Sequence, residues 1–178
     1  HNRENIEAAS IAAMAHGAVP SGVQTAVDRF QPLRHRLEYA GRVQGVKFYN
    51  DSKATNPNAV QRAAECFSGD VFLIMGGRAK DTDFSCLAET VRKKVHRLIL
   101  MGEAAETIAG QFEFIKDIRF AESMSEAVAI GFDSAKPGRT VLLSPGCASF
   151  DMYSGYDARG DDFTNEVRKL KERENESA

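Results

Sequence analysis

Apolar residues recur at helical spacing at the start of the chain. Residues 2–17 are rich in alanine and end in Gly17, a residue type that often ends helices. Further on, the apolar residues Val23, Val27 and Phe30 again follow one another at the spacing of a helix face. The pattern therefore predicts two successive helices.

The pattern then changes to short extended pieces. Residues 31–51 are predicted to form two such pieces, around Gly41 and Gly45, arranged like a hairpin. Beyond them, continuous apolar runs alternate with helical stretches; one helix opens with Ser123 and Glu126, spaced as a capping box, and the last helix is long with a charged tail. The predicted strands begin near Val71, Arg97, Ile118 and Thr140. This alternation is typical of an open α/β sheet with a mainly parallel core.

Composition limits the classes of protein that fit. A chain of 178 residues suits one domain of ordinary size with room for an appendage. Its 43% hydrophobic and 27% charged residues are typical of a soluble globular protein. The net charge of −2 gives no support for a nucleic acid or an anionic membrane as partner, and no apolar run approaches the length of a membrane span.

The cysteines and histidines carry no evident chemistry. Cys66, Cys86 and Cys147 are odd in number and lack C-x-x-C spacing, which argues against a disulfide framework or a zinc site and favours a reducing cytoplasm. We interpret all three as small buried hydrophobic residues. His16 and His96 are not paired as metal ligands, so no metal site is predicted. The chain begins without methionine or a signal peptide, and we expect that it was cut from a longer protein.

Chemically active side chains crowd at the ends of three predicted strands. These segments are NDSKATN (50–56), GGRAKDTDF (76–84) and SPGCAS (144–149). Ligands of open α/β sheets bind at the carboxyl ends of the strands, so the three segments predict a site at that edge. A fourth segment, HRLE (35–38), brings basic residues that either bind phosphate or are simply exposed.

The glycine-rich segment has two interpretations. Gly76 and Gly77 allow a tight turn and a close approach to a ligand, and Lys80 then lies within reach of an anion. The segment is not a Walker A loop, because no Ser or Thr follows the lysine directly. Taken alone, a plain turn with a solvated lysine is the better interpretation.

The other two segments also leave alternatives open. Asn50, Ser52 and Asn56 are ordinary turn and cap residues, but Lys53 opposes the dipole of a helix start unless an anion sits nearby. Small residues around Ser149 leave backbone N–H groups free for a carboxylate or phosphate, or serve only tight packing. No G-x-S-x-G elbow is present, so a nucleophilic serine is not predicted.

Taken together, the segments resemble the Mur ligase family. The resemblance rests on HNRENIEAA, HRLE, NDSKATN, GGRAKDTDF and SPGCASFDMYSGYDARGDDF in this order, and it covers essentially the whole chain. It implies a Rossmann-like α/β fold, an open and mainly parallel sheet with helices on both faces. Residues 1–31 resemble the helical tail of the family's central ATP-binding domain, and residues 32–178 resemble its C-terminal, amino-acid-binding domain.

The NDSKATN segment resembles the branch of the family that uses D-glutamate. The resemblance implies that ATP activates the carboxylate of UDP-N-acetylmuramoyl-L-alanine as an acyl phosphate, which the amine of D-glutamate then attacks. ATP and Mg²⁺ would serve the full-length enzyme, whereas this chain lacks the phosphate loop and is expected to be inactive and to bind neither. The remaining expectations are a cytoplasmic monomer that uses no nucleic acid and no membrane.

The resemblance also assigns roles to individual residues. Lys53 would be catalytic, near the reacting phosphate. The residues implied to bind D-glutamate are Thr55, Lys80, Ser149, Phe150 and Tyr156, and those implied to bind the nucleotide are Asn2, Asn5, Arg36 and Asp51. Tyr156 stands where phenylalanine is common, which adds a hydroxyl without an assigned role. Two alternatives stay open: another Mur or folylpolyglutamate-type ligase, and a free-standing Rossmann-like anion-binding module.

Overall fold

The computed structural model describes residues 2–79 and 82–176, with only the backbone described for Asn2. Backbone contacts divide the chain into two compact parts, His1–Leu33 and Arg34–Ala178. The assignment of residues 1–31 to a central ATP-binding domain stays a prediction.

The first part contains the two predicted helices, α1 (Asn2–Ala15) and α2 (Pro20–Arg29). Helix α1 ends as predicted, because Gly17 adopts a left-handed φ of 92° that is easy for glycine. The Gly17 amide donates to the Met14 carbonyl and the Ala18 amide to the Ala13 carbonyl, each at 3.0 Å. These two bonds form a Schellman motif, which satisfies carbonyls that the helix end would leave unpaired.

The second part is built on a six-stranded sheet in the order β1-β2-β6-β3-β4-β5. The predicted hairpin pairs β1 with β2 in antiparallel orientation, and the other pairs of neighbouring strands are parallel. Because the last strand of the chain lies between β2 and β3, the ends of these three strands are neighbours. The strands are β1 (Glu38–Val43), β2 (Val46–Asn50), β3 (Val71–Gly76), β4 (Val95–Met101), β5 (Ile118–Phe120) and β6 (Thr140–Gly146).

Helices cover both faces of the sheet. One apolar cluster joins the sheet to three helices, and a second cluster joins its opposite face to the other two. The first set is α3 (Pro57–Glu65), α4 (Ala88–Lys94) and α5 (Ala105–Gln111); the second is α6 (Met124–Ser134) and α7 (Tyr156–Glu176). A single 3-10 turn, Ser85–Leu87, precedes α4. The predicted α/β fold is confirmed, and none of the helices within the described ranges is long and apolar enough to cross a membrane.

Several local expectations need correction. Strand β4 begins at Val95, two residues before the predicted start, because it follows α4 without a loop. The Ser123 hydroxyl caps α6 by accepting from the Glu126 amide, but the Glu126 carboxylate accepts from the Glu122 amide, so the reciprocal bond of a capping box is shifted by one residue. The interpretation of the cysteines as buried holds only for Cys147, since Cys66 and Cys86 are exposed.

Two consecutive glycines bring the strand ends into close contact. Gly76 and Gly77 have φ values of 125° and 128°, which side chains rarely tolerate. A β-carbon at Gly76 would overlap the Met101 carbonyl of β4, and one at Gly77 would overlap the carbonyl of Ala148, just after β6. The two glycines therefore allow neighbouring backbone to approach closely. Their close approach to a ligand stays a prediction.

A substitution of Gly76 tests this packing. We expect Gly76→Ala to lower the free energy of unfolding by at least about 2 kcal/mol, because the methyl group overlaps backbone and the φ value is unfavourable. Gly110→Ala is the matched control: this helical position has open space around its missing β-carbon. The control should be stabilising by about 0.5–1 kcal/mol. Urea denaturation measures both, and equal effects of the two substitutions would contradict the packing argument.

Candidate functional site

The three polar segments meet at one edge of the sheet, as their positions after β2, β3 and β6 predict. Backbone hydrogen bonds join them directly. The Gly146 amide donates to the Ala54 carbonyl at 2.9 Å, and the Arg78 amide donates to the Ala148 carbonyl at 2.8 Å. Residues that are far apart in sequence are therefore held side by side within one surface.

A buried arginine makes hydrogen bonds to all three segments. The Arg159 side chain is 3% exposed, and its Nε donates to the Ser52 hydroxyl at 2.9 Å. Its Nη2 donates to the carbonyls of Ser52 at 2.8 Å and Cys147 at 3.1 Å, and its Nη1 lies 3.5 Å from the Gly76 carbonyl. One guanidinium thus contacts the ends of β2, β3 and β6. Burial lowers the pKa of Arg159 to about 10, so the group stays protonated at neutral pH.

Sequence reasoning missed Arg159, although a signal was present. In α7, the buried positions are Arg159, Gly160, Phe163, Val167 and Leu170, so the arginine occupies the apolar stripe of an otherwise conventional amphipathic helix. A charged residue in such a stripe needs buried acceptors. Here the acceptors are the Ser52 hydroxyl and backbone carbonyls near strand ends, which no sequence pattern reveals.

Asp51 is a buried carboxylate directly after β2. It accepts hydrogen bonds from the Leu37 amide at 3.1 Å and from the Ser144 hydroxyl at 2.9 Å. Burial raises its pKa to about 6, and the two hydrogen bonds and the charge of Arg36 oppose the shift without cancelling it. Arg36 itself is exposed. The two residues implied to bind the nucleotide's phosphates and ribose are therefore neighbours in the structure.

His35 is the part of HRLE that the sequence misjudged. It is not exposed: it is 3% exposed, and its Nδ1 lies 3.1 Å from the Asn50 amide nitrogen. The same Asn50 nitrogen donates to the Gly160 carbonyl at 2.8 Å, and the Asn50 side-chain oxygen accepts from the Ser52 amide at 3.1 Å. A β-carbon at Gly160 would overlap the His35 ring. This buried network ties α7 to the loop that carries Lys53.

Lys53 and Tyr156 lie against each other above that network. The Lys53 Nζ is 3.1 Å from the Tyr156 hydroxyl and 4.3 Å from the centre of its ring. Tyr156 is 37% exposed and Phe150 is 62% exposed. Their aromatic surfaces are thus open to a ligand, and the role of both as pocket walls stays a prediction.

The remaining predicted residues have different settings. Thr55 is exposed after β2, whereas Ser149 is buried, with its carbonyl accepting from the amides of Met152 and Tyr153. Asn5 is exposed on α1. Lys80 and the side chain of Asn2 lie outside the described residues. The structure therefore places the side chains of Lys53 and Tyr156 in direct contact. Thr55, Ser149 and Phe150 lie on two loops that backbone hydrogen bonds hold next to each other.

Two neighbours of these loops limit the chemistry. Burial raises the pKa of the Cys147 thiol to about 12, so it is not a thiolate nucleophile at neutral pH. Arg78, which precedes Lys80 by two residues, forms a two-pronged pair with Glu103, with bonds of 2.9 and 2.7 Å. Asp151 accepts from the Glu103 amide at 3.0 Å and so links this pair to the Ser149 loop.

Comparisons with known proteins place the chain in a family. Residues 35–147 match the family described as Mur ligase, glutamate ligase domain. The chain is 49% identical to the UDP-N-acetylmuramoylalanine–D-glutamate ligase of Desulfosudis oleivorans, over 97% of this chain and 38% of that protein. It is 45% identical to the protein of the same name from Syntrophus aciditrophicus, over 94% of this chain and 37% of that protein. The chain thus spans little more than a third of these relatives.

Solved structures share the fold at lower identity. UDP-N-acetylmuramate-alanine ligase MurC from Thermotoga maritima has a TM-score of 0.67 and 13% identity, over 96% of this chain and 38% of that chain. E. coli FolC, solved in complex with ADP, has a TM-score of 0.67 and 18% identity, over 93% and 40%. The chain belongs to the Mur ligase glutamate ligase domain family, and the resemblance inferred from the sequence is confirmed.

The buried Asp51 gives a prediction for pH-dependent stability. Its folded pKa of about 6 lies above the ordinary value of 3.8, so the folded state holds this proton more tightly than the unfolded state does. Stability should therefore fall as pH rises from about 4 to about 6, by up to about 3 kcal/mol from this group. Asp51→Asn removes the charge and can still accept from the Leu37 amide, so it should be more stable than the wild type at pH 7 and lose that advantage at pH 4.

Urea denaturation at several pH values gives the difference between the variant and the wild type. Asp133→Asn, at an exposed position near the end of α6, is the control and should leave the pH dependence unchanged. If the difference in unfolding free energy between Asp51→Asn and the wild type stayed constant across pH 4–7, burial would not destabilise the ionised carboxylate.

The Arg159 contacts give a second prediction. Arg159→Lys keeps the charge but cannot reach the acceptors at the ends of three strands, so it should destabilise the chain by about 2–4 kcal/mol. Arg168→Lys, at an exposed position of the same helix, should change stability by less than about 0.5 kcal/mol. Thermal and urea unfolding compare the two, and a tolerated Arg159→Lys would mean that the guanidinium geometry is dispensable.

Proposed function

We propose that this chain is the C-terminal part of an ATP-dependent ligase that joins D-glutamate to UDP-N-acetylmuramoyl-L-alanine in peptidoglycan precursor synthesis. The observation that carries the proposal is the set of relatives with 41–49% identity, all of which bear the name UDP-N-acetylmuramoylalanine–D-glutamate ligase. The likeness to folylpolyglutamate synthases lies at 15–18% identity and supports the shared fold alone.

The proposed role of this chain is to hold D-glutamate. This substrate carries two carboxylates, which require cations and hydrogen-bond donors. Lys80, Thr55 and Ser149 are the proposed donors, on the loops after β3, β2 and β6. Phe150 and Tyr156 are the proposed walls of the pocket, and their exposed rings support this role.

Lys53 is proposed to act on the reaction itself. An acyl phosphate forms first, the amine of D-glutamate attacks its carbonyl carbon, and the tetrahedral intermediate expels phosphate. Negative charge then develops on the departing phosphate oxygens. A lysine ammonium beside them stabilises the transition state more than the bound substrates, which is the condition for an effect on kcat.

Four residues of this chain are proposed to bind the nucleotide. Arg36 and Asp51 would contact its phosphates and ribose, and Asn2 and Asn5 its adenine. The longer protein would bind ATP and Mg²⁺ mainly through its upstream part. We further propose a cytoplasmic monomer whose partners are the two substrates.

Two lysine substitutions in the full-length ligase test this division of labour. Lys80→Ala should raise the KM for D-glutamate roughly ten- to more than a hundred-fold, because a charge-assisted bond to a carboxylate contributes about 1.5–3 kcal/mol. The KM for ATP should stay near normal. Lys53→Ala should instead lower kcat more than it raises KM. Steady-state phosphate release with each substrate varied in turn measures both.

An exposed lysine provides the control. Lys116 lies in the turn before β5, so Lys116→Ala should leave all constants unchanged. An unchanged KM in Lys80→Ala would remove the proposed pocket, and parallel effects of both substitutions on one constant would remove the separate role of Lys53. Absence of D-glutamate-dependent phosphate release by the wild type would overturn the proposed function itself.

A further inference from the structure

The Tyr156 hydroxyl contacts the ammonium group of Lys53. The distance between Nζ and the hydroxyl oxygen is 3.1 Å, and the same Nζ lies 4.3 Å from the ring centre. The lysine therefore interacts with two features of one side chain: the π face, which phenylalanine would also offer, and the oxygen, which only tyrosine adds.

Both residues sit on backbone that the buried network fixes. The Lys53 amide donates to the His35 carbonyl at 3.0 Å. The Tyr156 carbonyl accepts from the Ser52 hydroxyl at 2.7 Å, and that hydroxyl also accepts from Arg159. Because hydrogen bonds hold both backbone segments, the contact between the two side chains is set mainly by their own rotamers.

The ammonium group of Lys53 has a neutral hydrogen-bond partner and no carboxylate partner among the described residues. Among the residues that the structure describes, no carboxylate lies within 4.0 Å of its ammonium group. A carboxylate partner would cancel the positive charge and compete with an anionic ligand. A neutral hydroxyl can accept one ammonium hydrogen and leave the other two, with the full charge, for a phosphate or carboxylate.

We propose that the Tyr156 hydroxyl is a positioning group for Lys53. It fixes the direction of the ammonium at the mouth of the site and keeps its charge available for an anion. This role rests on the proposed function, in which Lys53 acts beside the reacting phosphate. The side chain of Tyr156 thus has two separable parts, a ring that forms a pocket wall and a hydroxyl that orients the lysine.

A double-mutant cycle in the full-length ligase tests the proposal. Tyr156→Phe removes the oxygen and keeps the ring, so kcat should fall about three- to ten-fold while the KM for D-glutamate changes less than two-fold. Lys53→Met removes the charge and keeps much of the aliphatic stem. Adding Tyr156→Phe to Lys53→Met should cause no further loss, since the hydroxyl then has nothing to position.

Tyr39→Phe is the matched control, because it removes the hydroxyl of another exposed tyrosine, on β1, and should leave kcat unchanged. An unchanged kcat in Tyr156→Phe would overturn the proposal. A loss of the same size with and without Lys53 would also overturn it, because the hydroxyl would then act on substrate or fold independently of the lysine.

A second readout separates this proposal from the proposed function. In NMR spectra of the 178-residue chain, the Lys53 Hε resonances should be shifted upfield by the Tyr156 ring and should move towards ordinary values in Tyr156→Phe, because the ammonium loses its anchor over the ring. Unchanged Hε shifts would overturn the positioning role even if the enzyme uses D-glutamate. The expected shifts, together with a ligase that ignores D-glutamate, would overturn the substrate assignment and leave the contact established.

Discussion

The arrangement of the site depends on one buried guanidinium. Arg159 contacts backbone at the ends of β2, β3 and β6, and these are the strands whose following loops carry the predicted ligand-binding residues. A charge with 3% exposure is costly to bury unless it is hydrogen-bonded. Here one bond goes to the Ser52 hydroxyl, and the others give partners to the backbone carbonyls of Ser52, Gly76 and Cys147.

The neighbouring charges show how stability and function compete at this edge. Asp51 is held ionised only above about pH 6, in surroundings that favour its neutral form, and Lys53 keeps a charge that no nearby carboxylate balances among the described residues. The burial of Asp51 lowers the stability of the domain at neutral pH. A buried carboxylate with a raised pKa beside a cation without a carboxylate partner is a combination that often marks binding sites.

The sequence predicted the order and type of the elements because their signals are local: apolar runs for the buried strands, alternating helical faces, and glycines at the turns. It also predicted that the three polar segments meet, since strand ends in an open sheet share one edge. It could not supply Arg159, the burial of His35 or the Lys53–Tyr156 contact. Each of these joins residues about 15 to over 100 positions apart, and only the strand order brings them together.

The strand order has a consequence for how the protein is made. Strand β6 lies between β2 and β3, so the hairpin of β1 and β2 has no neighbour in the sheet until residues 140–146 have left the ribosome. About 90 residues separate Asn50 from Thr140, which corresponds to roughly 5–20 s of synthesis. During that time the edge of β2 that later pairs with β6 has no partner strand, and an unpaired strand edge favours pairing with other chains.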